Sequence, residues 1–581
     1  LQKSAIRHNY STAFRAAKSL KRLQIRLRTA RGDLNEAQIL YGKRFNSDKD
    51  PKMAKVMEKV ASSELYDYFQ AEISLSSGRF SYYFFLKDIN DNIFWYTEKG
   101  LTKVRPKGWK LGYFQYPIIK EEDIWQAPQW ARDAVFYQIF PERFNRTKVK
   151  GRTKNGQEIQ PWGSKPRREA FMGGDLKGIK NKLNYLQDLG VDALYLTPVF
   201  KSPSNHKYNI TDYYKIDEDL GTEKEAQELV EAAQDKDIKV IFDAVLNHCG
   251  SNFFAFQDVL QRGENSKYKD WFYINEFPVS LEDCNYETFA QNIPQMPRLN
   301  MHNREVQEYF LDFAEYWTEK LNLDGWRLDV ADEVPRSFWR EFRQRVKDVN
   351  PKAFIIGEVW YDATDWLNGD QFDSIMNYHL MYDILDYLAA EKISLTQLTD
   401  RITENIFRYR PEASNFLLNL LGSHDTPRLK WHFRNFKEEK RRKKINLAVA
   451  LQFFLPGIPM IFYGDELGLT GKDDPDCRRA MPWKPEEQDL PKKNFYKNII
   501  KTYKQRKLLK SGNYREVFVD EVAEVLIFSR AIEDKTLYLA FNFSENEYKL
   551  DESVKNKIRG DFKEDFTVKK EVIPPLSYLF L

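Results

Sequence analysis

The chain has 581 residues, of which 42% are hydrophobic and 30% charged, and 90 Lys and Arg stand against 86 Asp and Glu for a net charge of +4. That composition excludes a disordered chain, and the near balance of charge argues against a nucleic-acid partner. No run of about 18 apolar residues exists to span a membrane, and at ~100–200 residues per domain the length predicts about three domains.

Residues 1–122 read as a β-sandwich module. Leu23, Ile25 and Leu27 alternate with Arg26 and Arg28, the period of a half-buried strand. Short aromatic strands are expected at 79–86 and Ile93–Thr97, on either side of the turn Asn90-Asp91-Asn92. From 123 to 511 apolar runs alternate with amphipathic helices. The strand candidates are 135–140, 193–199, 240–246, 325–330, 354–359, 375–378, 416–421 and 460–463. Thr222 and Glu225 form a capping box ahead of one helix. Tyr309, Phe313 and Trp317 recur at helical spacing, as do Phe338, Phe342 and Val346. Eight strands alternating with helices predict an α/β fold, a (β/α)8 TIM barrel. The long irregular stretch 249–303 after the third strand predicts an inserted loop domain. The basic run 437–444 reads as a solvated helix face. Residues 512–581, with strands at 516–519, 524–529 and 536–542, predict a small C-terminal β domain.

Three cysteines, Cys249, Cys284 and Cys477, are odd in number and form no CxxC, which fits reduced thiols in the cytoplasm. The opening LQKSAIRHNY has no apolar stretch after its basic residues, so no signal peptide is expected.

In such barrels the reacting groups sit at the C-terminal strand ends. The third strand ends in FDAVLNH, with Asp243, Asn247 and His248. The fourth ends in GWRLDVADE, with Arg327, Asp329 and Glu333. The fifth ends in GEVW, with Glu358 and Trp360, and the seventh in LLGSHD, with His424 and Asp425. Asp329 and Glu358 lie about one strand–helix unit apart, hence on neighbouring strands ~4.8 Å apart. That allows the ~5–5.5 Å carboxyl separation of a retaining glycosidase. Arg327, two residues before Asp329, shares its face of the strand and is expected to keep it ionised. Glu358 is expected to hold a proton, raised by the neighbouring acid and by desolvation against Trp360. A single acid at a strand end is most often a salt-bridge partner; the ordered set on successive strands carries the argument.

These four segments, in this order, resemble the hallmark regions of the α-amylase superfamily of glycoside hydrolases. MPRLN at 296–300, SPSNHKYN at 202–209, GDELG at 464–468 and DPDCRRAM at 474–481 resemble its cyclomaltodextrinase, neopullulanase and maltogenic amylase subgroup. The resemblance implies Asp329 as nucleophile, Glu358 as acid/base and Asp425 as the third carboxylate, on the sugar hydroxyls. It implies that His248 and His424 hydrogen-bond the sugar, that Tyr208 stacks on it, and that Asp243 and Arg327 support the nucleophile. Asp474 and Arg478 would make donor-side contacts and Glu333 and Trp360 further substrate contacts. The chain departs from the subgroup at Asp332, Arg336, Tyr361 and Gln291, which bears on substrate preference.

The subgroup often binds calcium in the loop after the first strand. Here that loop reads FNRTKVKGRTKNG, crowded with cations, although Asn145, Gly173 and Asp175 remain as candidate ligands. No cofactor is expected to be required. The expected activity is retaining, endo-type hydrolysis of α-1,4 bonds in cyclodextrins, maltooligosaccharides and pullulan. The alternatives are a glucanotransferase of the same fold and a non-catalytic glucan-binding relative. The resemblance also implies a homodimer through the N-terminal module.

Overall fold

The computed structural model describes residues 1–45, 53–106, 112–147, 151–560 and 571–581. At its centre eight parallel strands form one sheet: Phe136–Ile139, Ala193–Leu196, Lys239–Val245, Gly325–Asp329, Phe354–Gly357, Ser374–Ile375, Leu418–Asn419 and Ile458–Phe462. Each pairs with its neighbour in chain order, and the first pairs with the eighth at Phe136 and Met460. A single parallel bridge between Met376 and Leu418 joins the sixth to the seventh and closes the ring. All these strand residues but Lys239 are buried, as expected of strands covered on both faces.

The sixth and seventh strands are shorter than expected. Asn377 caps a helix by accepting from the Leu380 N–H, so Tyr378 starts helix Tyr378–Leu388 instead of ending a strand. Phe416 closes a single 3-10 turn, Ala413–Asn415. The Thr222–Glu225 capping box forms and starts helix Glu223–Gln234. In helix Arg304–Lys320, Phe313 and Trp317 are buried with Val306, Phe310 and Ala314, while Tyr309 is half-buried at the edge of that stripe. Phe338, Phe342 and Val346 are all buried in helix Arg336–Val349. Along helix Glu438–Phe454 the basic run is exposed or half-exposed as read, except at its end: Lys444 is buried, donates to Leu388 O at 3.0 Å and pairs with Glu391 at 2.7 Å.

The N-terminal module is two antiparallel sheets face to face. Their inner faces bury Leu23, Ile25, Leu27, Ile39, Ile73 and Phe84. Strands Phe80–Asp88 and Ile93–Thr97 flank a turn in which Asp91 takes a left-handed φ of 62°. Strand Arg22–Ala30 is not half-solvated, because its polar side faces the barrel. Arg26 is buried, donates to Ala13 O at 3.3 Å and Tyr409 O at 3.0 Å, and lies 4.5 Å over the Phe407 ring. From the barrel side, buried Arg410 donates to Asn368 O at 2.8 Å and to Asp123 O and Ala17 O at 3.3 Å. Arg410 thus ties the module to the loop that follows the fifth barrel strand, and Arg26 ties it to Phe407 and Tyr409, beyond the sixth.

The C-terminal sheet orders Asn513–Asp520, Val525–Ile532, Lys535–Asn542 and Ser577–Phe580. Leu526, Phe528, Leu539 and Phe541 pack onto the barrel, and the other face buries Val554 and Ile558 of a helix, Glu552–Gly560, not expected from the sequence. The excursion after the third barrel strand holds helix Phe254–Arg262 and returns through a bridge between His248 and Arg298, at the barrel mouth. Among the described residues no helix is long and apolar enough to cross a membrane.

Candidate active site

Strand register decides which side chains meet at the mouth. Asp243 lies opposite Arg327, and Leu328 opposite Gly357. The Glu358 N–H continues that ladder by donating to Leu328 O at 3.0 Å. Asp329 and Glu358 therefore leave adjacent strands side by side, and Arg327 points the same way as Asp329.

Arg327 is fully buried and serves three carboxylates. Its Nη1 donates to Asp243 Oδ1 and Oδ2 at 3.0 Å each and to Asp329 Oδ1 at 2.8 Å, and its Nη2 stands 2.7 Å from Glu358 Oε1. Tyr195 and Tyr208 donate their hydroxyls to Asp243 Oδ2 at 2.7 and 2.9 Å. The other Glu358 oxygen accepts the Val330 N–H at 3.0 Å. To make that bond Val330 takes φ 45°, a left-handed conformation that a β-branched residue avoids. Strain of this kind, ~1–3 kcal/mol, persists only where surrounding structure enforces it.

Burial pushes the Asp329 carboxyl well above its usual range; Arg327 opposes the shift, and the charges of Glu358 and Asp243 add to it. Burial likewise raises Glu358 and Asp243, again against Arg327. The arginine expected to keep Asp329 ionised is shared with Asp243 and Glu358. One guanidinium thus opposes the desolvation of three buried carboxylates at once. The role expected of Trp360 changes too. It is 37% exposed and stacks on Tyr378 at 3.7 Å between centroids and 7° between planes. The Tyr378 hydroxyl in turn donates to Glu358 Oε1 at 3.5 Å. Trp360 thus backs the tyrosine that touches the acid, with part of its ring left exposed, instead of burying the acid itself.

On the opposite wall Asp425 stands 3.0 Å from His424 Nε2 and accepts from Arg478 Nη2 at 3.1 Å. Asp474 pairs with Arg478 Nη1 at 2.9 Å, and Arg478 Nε donates to His424 O at 2.8 Å. Gln138 Nε2 faces His424 Nδ1 at 2.8 Å, which leaves the imidazole proton on Nε2. Burial holds His424 well below its usual pKa, and hence neutral. Tyr208 lies parallel to it, 5.2 Å between centroids and 3° between planes. His248 is buried and pushed down to about 3 by desolvation, against a weak opposing contact with the Tyr208 backbone, and neither ring nitrogen has a partner in good hydrogen-bond geometry. It stacks on Phe289 of the excursion at 4.6 Å. A buried imidazole without partners costs free energy unless a ligand supplies them. Glu333 sits further out, 3.8 Å from Arg298 of the MPRLN segment.

The structure thus gathers Asp243, Arg327, Asp329, Glu358, Tyr208, His424, Asp425, Arg478 and Asp474 into one network, with His248 beside Phe289, Trp360 on Tyr378, and Glu333 at the rim. Sequence reasoning missed Tyr195, Gln138 and Tyr378. Gln138 left a signal, a lone amide in the otherwise apolar strand Phe136–Ile139; Tyr195 and Tyr378 left none, because aromatic residues are ordinary in barrel strands and helix starts.

The candidate metal ligands do not form a cation cage. The Asp175 carboxylate caps a helix by accepting the Gly178 N–H at 2.6 Å, and its other oxygen accepts the Thr147 N–H and hydroxyl at 2.9 and 2.8 Å. Asn145 turns its amide N–H onto Gly178 O at 3.0 Å, and the Gly173 N–H donates to Glu142 Oε1 at 2.6 Å. Protein donors thus occupy both oxygens of the Asp175 carboxylate, whereas Asn145 and Gly173 make these contacts through N–H groups; a hard cation needs several free oxygens. Residues 148–150 of the cation-rich loop lie outside the described residues.

The alpha amylase catalytic domain model matches residues 138–518, and the alpha amylase N-terminal ig-like domain model matches residues 1–120. The chain belongs to the α-amylase family. It is a glycoside hydrolase. It is 42% identical to a cyclomaltodextrinase of Thermoanaerobacter pseudethanolicus, over 100% of this chain and 98% of that protein. It is 42% identical to neopullulanase 2 of Thermoactinomyces vulgaris, over 93% of this chain and 90% of that protein. A solved cyclomaltodextrinase structure superposes with a TM-score of 0.88 at 37% identity, covering 94% of this chain and 92% of that one.

The strained Val330 is a test of how tightly Glu358 must be held. Val330→Gly removes the left-handed strain and is expected to stabilise the fold by up to about 1 kcal/mol in urea unfolding while lowering kcat about tenfold, as the N–H on Glu358 wanders. Full activity in that variant would show that the N–H contact is incidental.

Proposed function

We propose that this chain is a retaining, endo-acting hydrolase of α-1,4-glucosidic bonds that works by double displacement. The observation that carries the reading is the pairing of Asp329 and Glu358 on one guanidinium, side by side on adjacent strands, in keeping with the ~5–5.5 Å class of glycosidase carboxyls. Burial raises both carboxyls, and groups this close titrate as a pair. Positive charge developing at the anomeric carbon favours the ionised form of the acid facing it, Asp329, and leaves the proton on Glu358. In the first step Asp329 attacks the anomeric carbon as the bond to the leaving sugar breaks, and the Glu358 proton passes to the departing oxygen. In the second, Glu358 takes a proton from water, whose oxygen attacks the anomeric carbon and frees Asp329. Asp425 and Arg478 suit the hydroxyls of the sugar at the cleavage point. The unpartnered His248 nitrogens offer a donor and an acceptor to the same ring.

Asp329→Asn and Glu358→Gln are each expected to lower hydrolysis of maltotriose by at least about a thousandfold, several kcal/mol of transition-state stabilisation, with an unchanged circular dichroism spectrum. Near-normal turnover in either variant would overturn the assignment.

We also propose that no metal is required, on the strength of the Asp175 carboxylate, both of whose oxygens already accept protein donors. Treatment with EDTA is expected to leave activity and melting temperature within experimental error. A large fall in melting temperature, restored by calcium, would show that the site opens to take the ion.

The preferred substrates under this reading are cyclodextrins, short maltooligosaccharides and pullulan, handled by a cytoplasmic homodimer. Support comes from the names of the relatives, from three free cysteines, and from the N-terminal edge strand Met53–Val56, whose four residues are all exposed. A glucanotransferase would use every one of the same groups, and product analysis with and without added glucose separates the two. Sedimentation is expected to give a dimer, and turnover of β-cyclodextrin to exceed that of soluble starch. A monomer that prefers starch would refute this part of the proposal.

A further inference from the structure

Between the N-terminal module and the barrel lies a cleft of about 480 Å³, within the usual range for small-molecule sites. One wall belongs to the module and carries Arg7, Asn9 and Arg28. The other carries Asp362 and Thr364, from the loop after Glu358, and Glu404 and Arg408, from helix Leu395–Arg408. Its floor is the ring pair Tyr68 and Phe407, 4.6 Å between centroids and tilted by 31°.

The charges in this cleft are not spent on one another. Among the described residues, none of Arg7, Arg28, Arg408, Asp362 and Glu404 forms an ion pair within 4 Å, although both signs line the same space. Arg28 Nε is buried without a partner. Arg408 donates to His379 Nε2 at 3.1 Å, a neutral acceptor. Asp362 uses Oδ1 on the Thr364 N–H at 2.9 Å and leaves Oδ2 free. Asn9 Oδ1 accepts from the Ser11 N–H and hydroxyl at 3.0 and 2.7 Å, which leaves its amide N–H groups free.

Such a cleft selects its ligand by chemistry. An anion would meet two carboxylates, and a cation three guanidinium groups. A neutral polyol needs donors and acceptors together, with an apolar strip for its C–H faces, and finds all three here. Position adds to this. Trp360 and Tyr361, 37% and 50% exposed, directly precede Asp362, so an exposed run of three residues, beginning two positions after the buried acid Glu358, leads to the cleft.

We propose that this cleft is an accessory α-glucan site that holds the reducing-end part of a maltooligosaccharide too long for the catalytic cleft. The proposal rests on the α-glucan activity argued above. It makes chain-length preference a property of the junction between module and barrel, and not of the catalytic residues.

The test compares maltoheptaose with maltotriose. Arg28→Ala combined with Glu404→Ala, one change on each wall, is expected to raise KM for maltoheptaose about five- to tenfold. Its kcat should stay within twofold and both constants for maltotriose should be unchanged. Ser11→Trp, which fills the cleft from the module side, is expected to do the same, and guards against misfolding of the double variant. Equal constants for wild type and both variants on maltoheptaose would overturn the accessory site. So would inorganic phosphate binding to the wild-type chain, measured by calorimetry and lost in the double variant, since it would mark an anion site. If the wild-type chain hydrolyses neither oligosaccharide, the proposed function fails instead.

Discussion

The constraint on which the rest depends is a single guanidinium held among carboxylates in the dry mouth of the barrel. Arg327 has no exposed surface, so its charge is tolerable only because Asp243, Asp329 and Glu358 surround it. The same argument runs backward. Three carboxylates brought together without water would drive one another to the protonated form, and the guanidinium sets how many stay ionised. Removing either party would leave an uncompensated buried charge. The register of three consecutive barrel strands, which puts Asp243 opposite Arg327 and Asp329 beside Glu358, is therefore an electrostatic requirement as much as a packing one.

Around that centre the polar groups divide into those already satisfied and those that wait. Tyr195, Tyr208 and Gln138 are committed to Asp243 and His424 and fix their orientation. His248, stacked on Phe289 with both nitrogens unpartnered, is not committed. The long excursion after the third strand supplies that stacking partner and returns along His248 through Arg298. Its length is explained by what it places over the mouth.

Much of the barrel was legible in the sequence, because strands buried on both faces read as apolar runs and helices as amphipathic periods. The sixth and seventh strands were overdrawn because an N-cap asparagine and a 3-10 turn cut them short, and neither signal outranks a run of Ile, Met, Phe and Leu when the chain is read alone. The carboxylates were legible through their spacing and strand ends. Their protonation was not, since Arg327 looked like a partner for Asp329 and turned out to be shared. Trp360 was read as a burying wall because its stacking partner Tyr378 is distant in sequence and silent in pattern. The solvated strand face was misjudged at Arg26 for a similar reason: what covers it comes from Phe407 and Tyr409.

The way the N-terminal module is fastened has a consequence for how this enzyme can change over time. Arg410 grips carbonyl oxygens of Ala17, Asp123 and Asn368, and Arg26 grips those of Ala13 and Tyr409. Every residue type supplies a carbonyl, so these clasps are indifferent to the identity of the side chains they hold in place. At one point the backbone itself is restricted: Gly369 needs φ 107°, and a Cβ there would lie 3.1 Å from Arg410 Nη1. The exposed residues of the loop after Glu358, Trp360, Tyr361 and Asp362, take no part in these clasps and can vary while the anchorage persists. Selection can rewrite the wall that meets the substrate without renegotiating the joint that carries it.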